Sequence, residues 1–164
     1  MKNIFQSSRL RIQPWLWLAG IILVLDQLTK GLAELNLPLH QPVPVMPLFN
    51  LTLVYNTGAA FSFLAEAGGW QRWFFIGLAI LVTSVLIAWL KQLTVTQRLA
   101  AAGLALLIGG AIGNVLDRIV RGAVVDFIDI YYANWHWPAF NLADSAITIG
   151  VGLLILDTLR GSRR

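Results

Sequence analysis

Four apolar stretches constrain this chain more than any other feature: about Trp15 to Ala33, Trp73 to Leu90, Leu99 to Ile119 and Leu142 to Leu159. A helix needs about 20 mostly apolar residues to cross a bilayer. It is also the form in which a lone segment satisfies its own backbone in lipid. The sequence therefore predicts an all-α membrane protein with four transmembrane helices. Composition agrees, because 57% of the residues are hydrophobic and only 12% charged. A soluble domain carries about 25% charged residues and needs them to coat its surface. Residues 1–164 are expected to form one integral membrane domain. The first stretch is read as a retained span: it is long for a signal peptide, contains Asp26 and Lys30, and precedes no small-residue cleavage site.

The flanks set an orientation. Trp15 and Trp17 precede the first stretch, Trp70 and Trp73 open the second, Trp89 closes it, and Trp135 and Trp137 precede the fourth. Indole rings favour the headgroup level. Lys2, Arg9, Arg11, Lys91, Arg98, Arg160, Arg163 and Arg164 all fall on one side of a four-span chain, which is then the cytoplasmic side. Both termini are expected there. The net charge of +4 is thus read as topology, and no basic stripe interleaved with aromatics suggests nucleic acid.

Two outer loops remain, about Leu35 to Gly69 and Gly122 to Phe140. Pro38, Pro42, Pro44 and Pro47 break helix in the first, and Phe49-Asn50-Leu51-Thr52-Leu53 then alternates apolar and polar. That pattern predicts a small extracytoplasmic β-element between helices 1 and 2. No internal repeat supports an inverted-repeat transporter.

Ionisable residues in or beside the spans are functional candidates, because lipid makes them costly. Asp126 and Asp144 lie at the outer ends of helices 3 and 4, joined by one loop. Two carboxyls within reach cannot both ionise, so one takes a proton from water while the other donates to a scissile carbonyl. Each has an equally good structural reading. Asn141 followed three residues later by Asp144 is a helix-start pattern, and Asp126 suits an Asx-type turn. Asn114, Asp117 and Arg118 share one helix face beside Gly109, Gly110 and Gly113. They read either as an interhelical clamp with an Asp–Arg ion pair or as a donor fork for a substrate carbonyl. Asp26 and Lys30 sit one turn apart and read as a self-neutralising structural pair. Asn56 and Gly58 form an Asn-x-Gly turn, or a loop that binds extended peptide.

Other chemistries lack their residues. There is no cysteine, no His-Glu-x-x-His, no Gly-x-Ser-x-Gly and no phosphate loop. A proton-coupled transporter using Asp26, Asp126 and Asp144 as a relay is the main rival, followed by an assembly factor with structural aspartates.

The polar blocks together resemble the prolipoprotein signal peptidase family along the whole chain. Asp26-x-x-x-Lys30 is similar to its helix 1 motif, and Asn56-Thr57-Gly58-Ala59-Ala60-Phe61 to its loop block. Gly110 to Arg118, Val124-Val125-Asp126-Phe127 and Phe140-Asn141-Leu142-Ala143-Asp144-Ser145 are similar to its three remaining blocks. The resemblance implies an aspartic endopeptidase of the bacterial inner membrane, working without metal or other cofactor, with a β-cradle outside the membrane. Its substrates would be diacylglyceryl-modified prolipoproteins, cut before the lipidated cysteine. Globomycin would inhibit it. Asp126 and Asp144 would be catalytic. Asn56, Gly58, Asn114, Arg118 and Asn141 would bind substrate or support the pair, and Asp26, Lys30 and Asp117 would hold helices in register. Membrane lipids are the surroundings, no nucleic acid takes part, and a monomer is expected.

Overall fold

The computed structural model describes residues 9–58 and 69–161. Lys2, Ala59, Ala60, Phe61, Arg163 and Arg164, used above, lie outside the described residues. The described helices are α1 (Gln13–Asn36), α2 (Trp70–Leu90), α3 (Arg98–Val120) and α4 (Leu142–Gly161). All four are long and apolar enough to cross a membrane. Pro14 sits in the first turn of α1, where its missing N–H costs nothing. Gly69 precedes α2 with φ 96°, a left-handed turn that only glycine adopts without strain, so α2 starts three residues before the expected Trp73.

The third helix is the centre of the bundle and packs against the other three. Its small residues permit this. A Cβ on Gly109 would stand 2.6 Å from the Ala19 carbonyl oxygen of α1, and one on Gly110 2.5 Å from the Ala143 carbonyl oxygen of α4. Without a hydrophobic drive between helices in lipid, such close backbone contact supplies the attraction. Ala101, Leu104 and Ile108 of α3 are buried with Ala19 and Leu90. By contrast Val24, Leu28 and Leu32 of α1 and Leu81 and Val85 of α2 face outward, as lipid-facing residues do.

The expected β-element is present, and both outer loops build it. Strands β1 (Val43–Met46), β2 (Phe49–Asn56), β3 (Val124–Tyr132) and β4 (Trp135–His136) form an antiparallel sheet in that order. Asn50 pairs with Asp129, Val54 with Asp126 and Asn56 with Val124, with one irregularity between Leu51 and Val54. Leu53 and Val125 bury against Ala33 at the end of α1 and fix the sheet to the bundle. At the opposite end, the Leu10 N–H donates to the Leu93 carbonyl across 3.0 Å, joining the N-terminal segment to the α2–α3 turn.

Candidate active site

The sheet and the helix starts place Asp126 and Asp144 on one cavity of about 800 Å³. Asn56, Asn114, Arg118 and Phe140 also line it. Asp126 comes from the buried first half of β3. Asp144 comes from the first turn of α4.

The helix-start reading and the site reading of Asp144 turn out to be compatible. The Asp144 N–H donates to Asn141 Oδ1 at 2.9 Å, and the Asn141 N–H donates to Asp144 Oδ2 at 3.3 Å. This reciprocal cap satisfies helix N–H groups that would otherwise be unpaired. The Ala143 N–H of the same turn donates to Asp26 Oδ1 at 2.9 Å. The cap leaves Asn141 Nδ2 free to turn toward β3, where it donates to Asp126 Oδ1 at 2.7 Å.

Two more asparagines complete the surround. Asn56 Nδ2 donates to Asp126 Oδ2 at 3.1 Å, and Asn56 Oδ1 accepts the Gly58 N–H at 3.0 Å in an Asx turn. Asn114 Nδ2 donates to Asp144 Oδ1 at 2.8 Å. Burial, with the Asp144 charge adding to it, raises the pKa of Asp126 to about 7, against the lowering effect of the hydrogen bonds from Asn56 and Asn141.

Lys30 is wholly buried. Its ammonium lies 2.8 Å from Asp26 Oδ2, 2.7 Å from Asp117 Oδ2 and 3.0 Å from Asn114 Oδ1. A buried charge is tolerable only with its partners in place, and removing one from such a set costs about 3–5 kcal/mol. The close approach of Asp26 to α3 depends on Gly113, where a Cβ would stand 2.5 Å from Asp26 Oδ2.

One pairing differs from the expectation. Asp117 does form an Asp–Arg ion pair, but with Arg121 at 2.8 Å, one turn later, and not with Arg118. Gln27 joins them, donating to Asp117 Oδ1 at 2.9 Å, and Arg121 also grips Glu34 at 3.0 Å. Neither Gln27, Arg121 nor Glu34 was a candidate from sequence. The signal for Arg121 was its i, i+4 spacing from Asp117. Arg118 instead turns to the cavity. Its Nη2 donates to the Gly58 carbonyl at 2.8 Å, and its guanidinium stacks over Phe75 at 5.2 Å.

Asp129 is separated from the pair. It accepts hydrogen bonds from Asn50 Nδ2 at 3.2 Å and Thr52 Oγ1 at 3.0 Å, and meets His136 Nδ1 at 2.7 Å. Burial pushes its pKa up, but the bonds from His136, Asn50 and Thr52 outweigh this and hold it below the usual range.

Comparison with known proteins agrees with this architecture. A family model described as signal peptidase (SPase) II matches residues 18–160. The lipoprotein signal peptidase of Pseudoalteromonas atlantica is 50% identical over 160 residues, covering 98% of this chain and 96% of that one. That of Pseudomonas aeruginosa strain PAO1 is 51% identical over 165 residues, covering 99% and 96%. A solved structure described as a bacterial membrane enzyme superposes with a TM-score of 0.84 at 30% identity, covering 96% of this chain and 94% of the other. With both the family model and these relatives spanning nearly its whole length, the chain belongs to the signal peptidase II family of aspartic endopeptidases.

Proposed function

We propose that the chain removes the signal peptide from diacylglyceryl-modified prolipoproteins, cutting the peptide bond before the lipidated cysteine. Asp126 and Asp144 form the catalytic pair. The observation that carries this reading is that both carboxylates line one cavity and accept from one residue, Asn141, whose side-chain amide donates to Asp126 and whose backbone N–H donates to Asp144.

The chemistry follows from one shared proton. The ionised carboxylate removes a proton from a water positioned between the two. The protonated carboxyl donates to the scissile carbonyl oxygen as the water attacks. The tetrahedral intermediate then collapses. One carboxyl passes its proton to the leaving amide nitrogen while the other carboxylate takes the proton from a hydroxyl of the intermediate, so the pair returns to its singly protonated state. Amide donors from Asn56, Asn114 and Asn141 hold both carboxylates in position. Arg118, held in place by the Gly58 carbonyl, and Asn56 stand on the cavity wall that receives the extended substrate.

The substrate class supports the location of the site. Its signal peptide crosses the membrane as a helix, and its lipid remains in the outer leaflet. The pair must therefore sit at headgroup depth. In this reading the protein lies in the bacterial inner membrane with both termini cytoplasmic and the sheet outside. The tryptophans at the cavity end, Trp70, Trp73 and Trp135, are exposed as interfacial residues are. Globomycin, a cyclic peptide, would compete for the same cavity.

Purified enzyme and a lipid-modified prolipoprotein in detergent test the proposal. Asp126→Asn and Asp144→Asn are expected to unfold cooperatively near the wild-type temperature and to cleave on the order of a thousandfold more slowly or worse. Near wild-type cleavage by either variant would remove that residue from the pair.

A further inference from the structure

We infer that Lys30 is a positioning residue of the cleavage reaction, locking the Asn114 amide so that its N–H faces Asp144; the inference rests on the catalytic pair proposed above.

A carboxamide presents an acceptor on one side and donors on the other, and it can rotate to exchange them. What fixes its sense is a partner that can only donate or only accept. Each asparagine at this site has a donor-only partner on its oxygen. Asn56 Oδ1 takes the Gly58 N–H, and Asn141 Oδ1 takes the Asp144 N–H. Both locks are backbone groups, supplied by the local turn and the helix start.

Asn114 lies within α3, where neighbouring backbone N–H groups are committed to the helix. The donor on its oxygen comes from another helix: the Lys30 ammonium, 3.0 Å away. An ammonium has three N–H donors and no acceptor. Its other partners are Asp26 Oδ2 and Asp117 Oδ2, so its three donors match three acceptors. A rotated Asn114 would aim its NH₂ at this ammonium and its oxygen at Asp144. Both contacts would be repulsive. Asn141 Nδ2 adds a weaker donor to Asn114 Oδ1 at 3.3 Å, in the same sense. The buried Asp26–Lys30–Asp117 set thus does more than join α1 to α3: it fixes which side of Asn114 Asp144 sees.

A double-mutant cycle on the full-length enzyme tests this. Lys30→Met alone would leave Asp26 and Asp117 short of a countercharge, so the cycle is built in an Asp26→Asn background, whose net charge is then restored by Lys30→Met. Cleavage kinetics and thermal unfolding are measured for this background alone, with Lys30→Met, with Asn114→Ala, and with both. Lys30→Met is expected to lower kcat about tenfold or more with KM within about twofold, and to add nothing once Asn114 is alanine. Lys30→Gln, which keeps an N–H donor for Asn114, is expected to recover most of the kcat lost in Lys30→Met.

A purely structural Lys30 gives a different result: a lower unfolding temperature with unchanged kcat for the folded enzyme, or losses that multiply with those of Asn114→Ala. Either overturns the inference. Asn114→Asp reads the same geometry with the ammonium retained: it keeps an acceptor for Lys30 but offers Asp144 no N–H. Near wild-type cleavage by this variant at neutral pH also overturns the inference. Failure of the broader reading has its own signature, cleavage by Asp144→Asn, and so the two failures are distinguishable.

Discussion

Asn141 and Asp126 meet in a 2.7 Å hydrogen bond across 15 residues of sequence, while the same asparagine caps α4 through the Asp144 N–H. One side chain therefore serves a helix end with its oxygen and a carboxylate with its nitrogen. Substitution separates the two duties. Asn141→Ser keeps an oxygen that caps the helix but has no N–H that reaches Asp126. It is expected to hold the unfolding temperature near wild type and lower kcat about 10–100-fold, the worth of a hydrogen bond to a charged group. Asn141→Ala loses the cap as well, at a further cost of about 1 kcal/mol in stability. Equal kcat for Asn141→Ser and wild type, in steady-state assays, would show that the bond to Asp126 contributes nothing to catalysis.

The pKa of Asp126, raised by burial and by Asp144 to about 7, places the upper limb of the pH–rate profile in an accessible range. The sign follows from the proposed chemistry. A pair that shares one proton is inactive when both carboxyls are ionised, so kcat falls as pH rises past the upper apparent pKa. It also falls toward acid, when both become protonated. The two limbs belong to the pair and not to either residue. Removing the Asn56 donor from Asp126 removes a lowering influence. Asn56→Ala should therefore move the upper limb to higher pH, beyond any loss in rate. A profile measured with chemistry rate-limiting decides this; an unmoved or lower limb contradicts it.

The bundle was legible in the sequence because lipid imposes a strict length on apolar segments. Gln13 and Asn36 extend α1 only two or three residues beyond the expected limits. The second half of the sheet was not legible. Val124 to Tyr132 forms β3 only because β2, some 70 residues earlier, offers its edge, and no local pattern names that partner. The candidate site was readable as residue types and spacing, but local sequence left cap and catalyst equally open for Asp144. The reciprocal bonds with Asn141 bear out the cap, and the same turn leaves Asp144 on the cavity that Asp126 also lines. Arg118 and Arg121 were harder to separate. Three residues before Arg121 and adjacent to Asp117, Arg118 lies around the helix from the Asp26–Lys30 set, whereas Arg121 lies a full turn along and meets Asp117.

Asp129 lies close to Asp126 in sequence but has separate partners. Its contacts with Asn50, Thr52 and His136 tie β3 to β2 and β4. Because its pKa is held below that of the unfolded chain, the stability it contributes is present above pH ~4 and lost as pH falls through the folded value. Asp129→Asn should lower the unfolding temperature at neutral pH, and the gap to wild type should close on acidification. Half-exposure of His136 screens its pairing, so the gap should be a few degrees at most. Cleavage at neutral pH should stay within about twofold of wild type. A loss of cleavage comparable to that of Asp126→Asn would place Asp129 in the reaction and undo this assignment.

The glycines of α3 give the sharpest structural test, because their neighbours cannot yield. A Cβ at Gly110 would meet the Ala143 backbone oxygen at 2.5 Å, so α4 itself would have to move away. At Gly113 the obstacle is Asp26 Oδ2, also at 2.5 Å, on a side chain held by Lys30 and the Ala143 N–H. Neither can shift without breaking buried polar bonds. Gly110→Ala and Gly113→Ala are each expected to cost about 2–4 kcal/mol and to reduce cleavage, since α4 carries Asp144. Gly20 and Gly152 are the counter-case: a Cβ there meets nothing within 4 Å. Alanine at either should be neutral, or stabilising by up to about 1 kcal/mol through helix propensity. Thermal unfolding of all four variants in one detergent ranks them. If Gly113→Ala unfolds with Gly152→Ala and wild type, the close approach of Asp26 to α3 does not hold the bundle together.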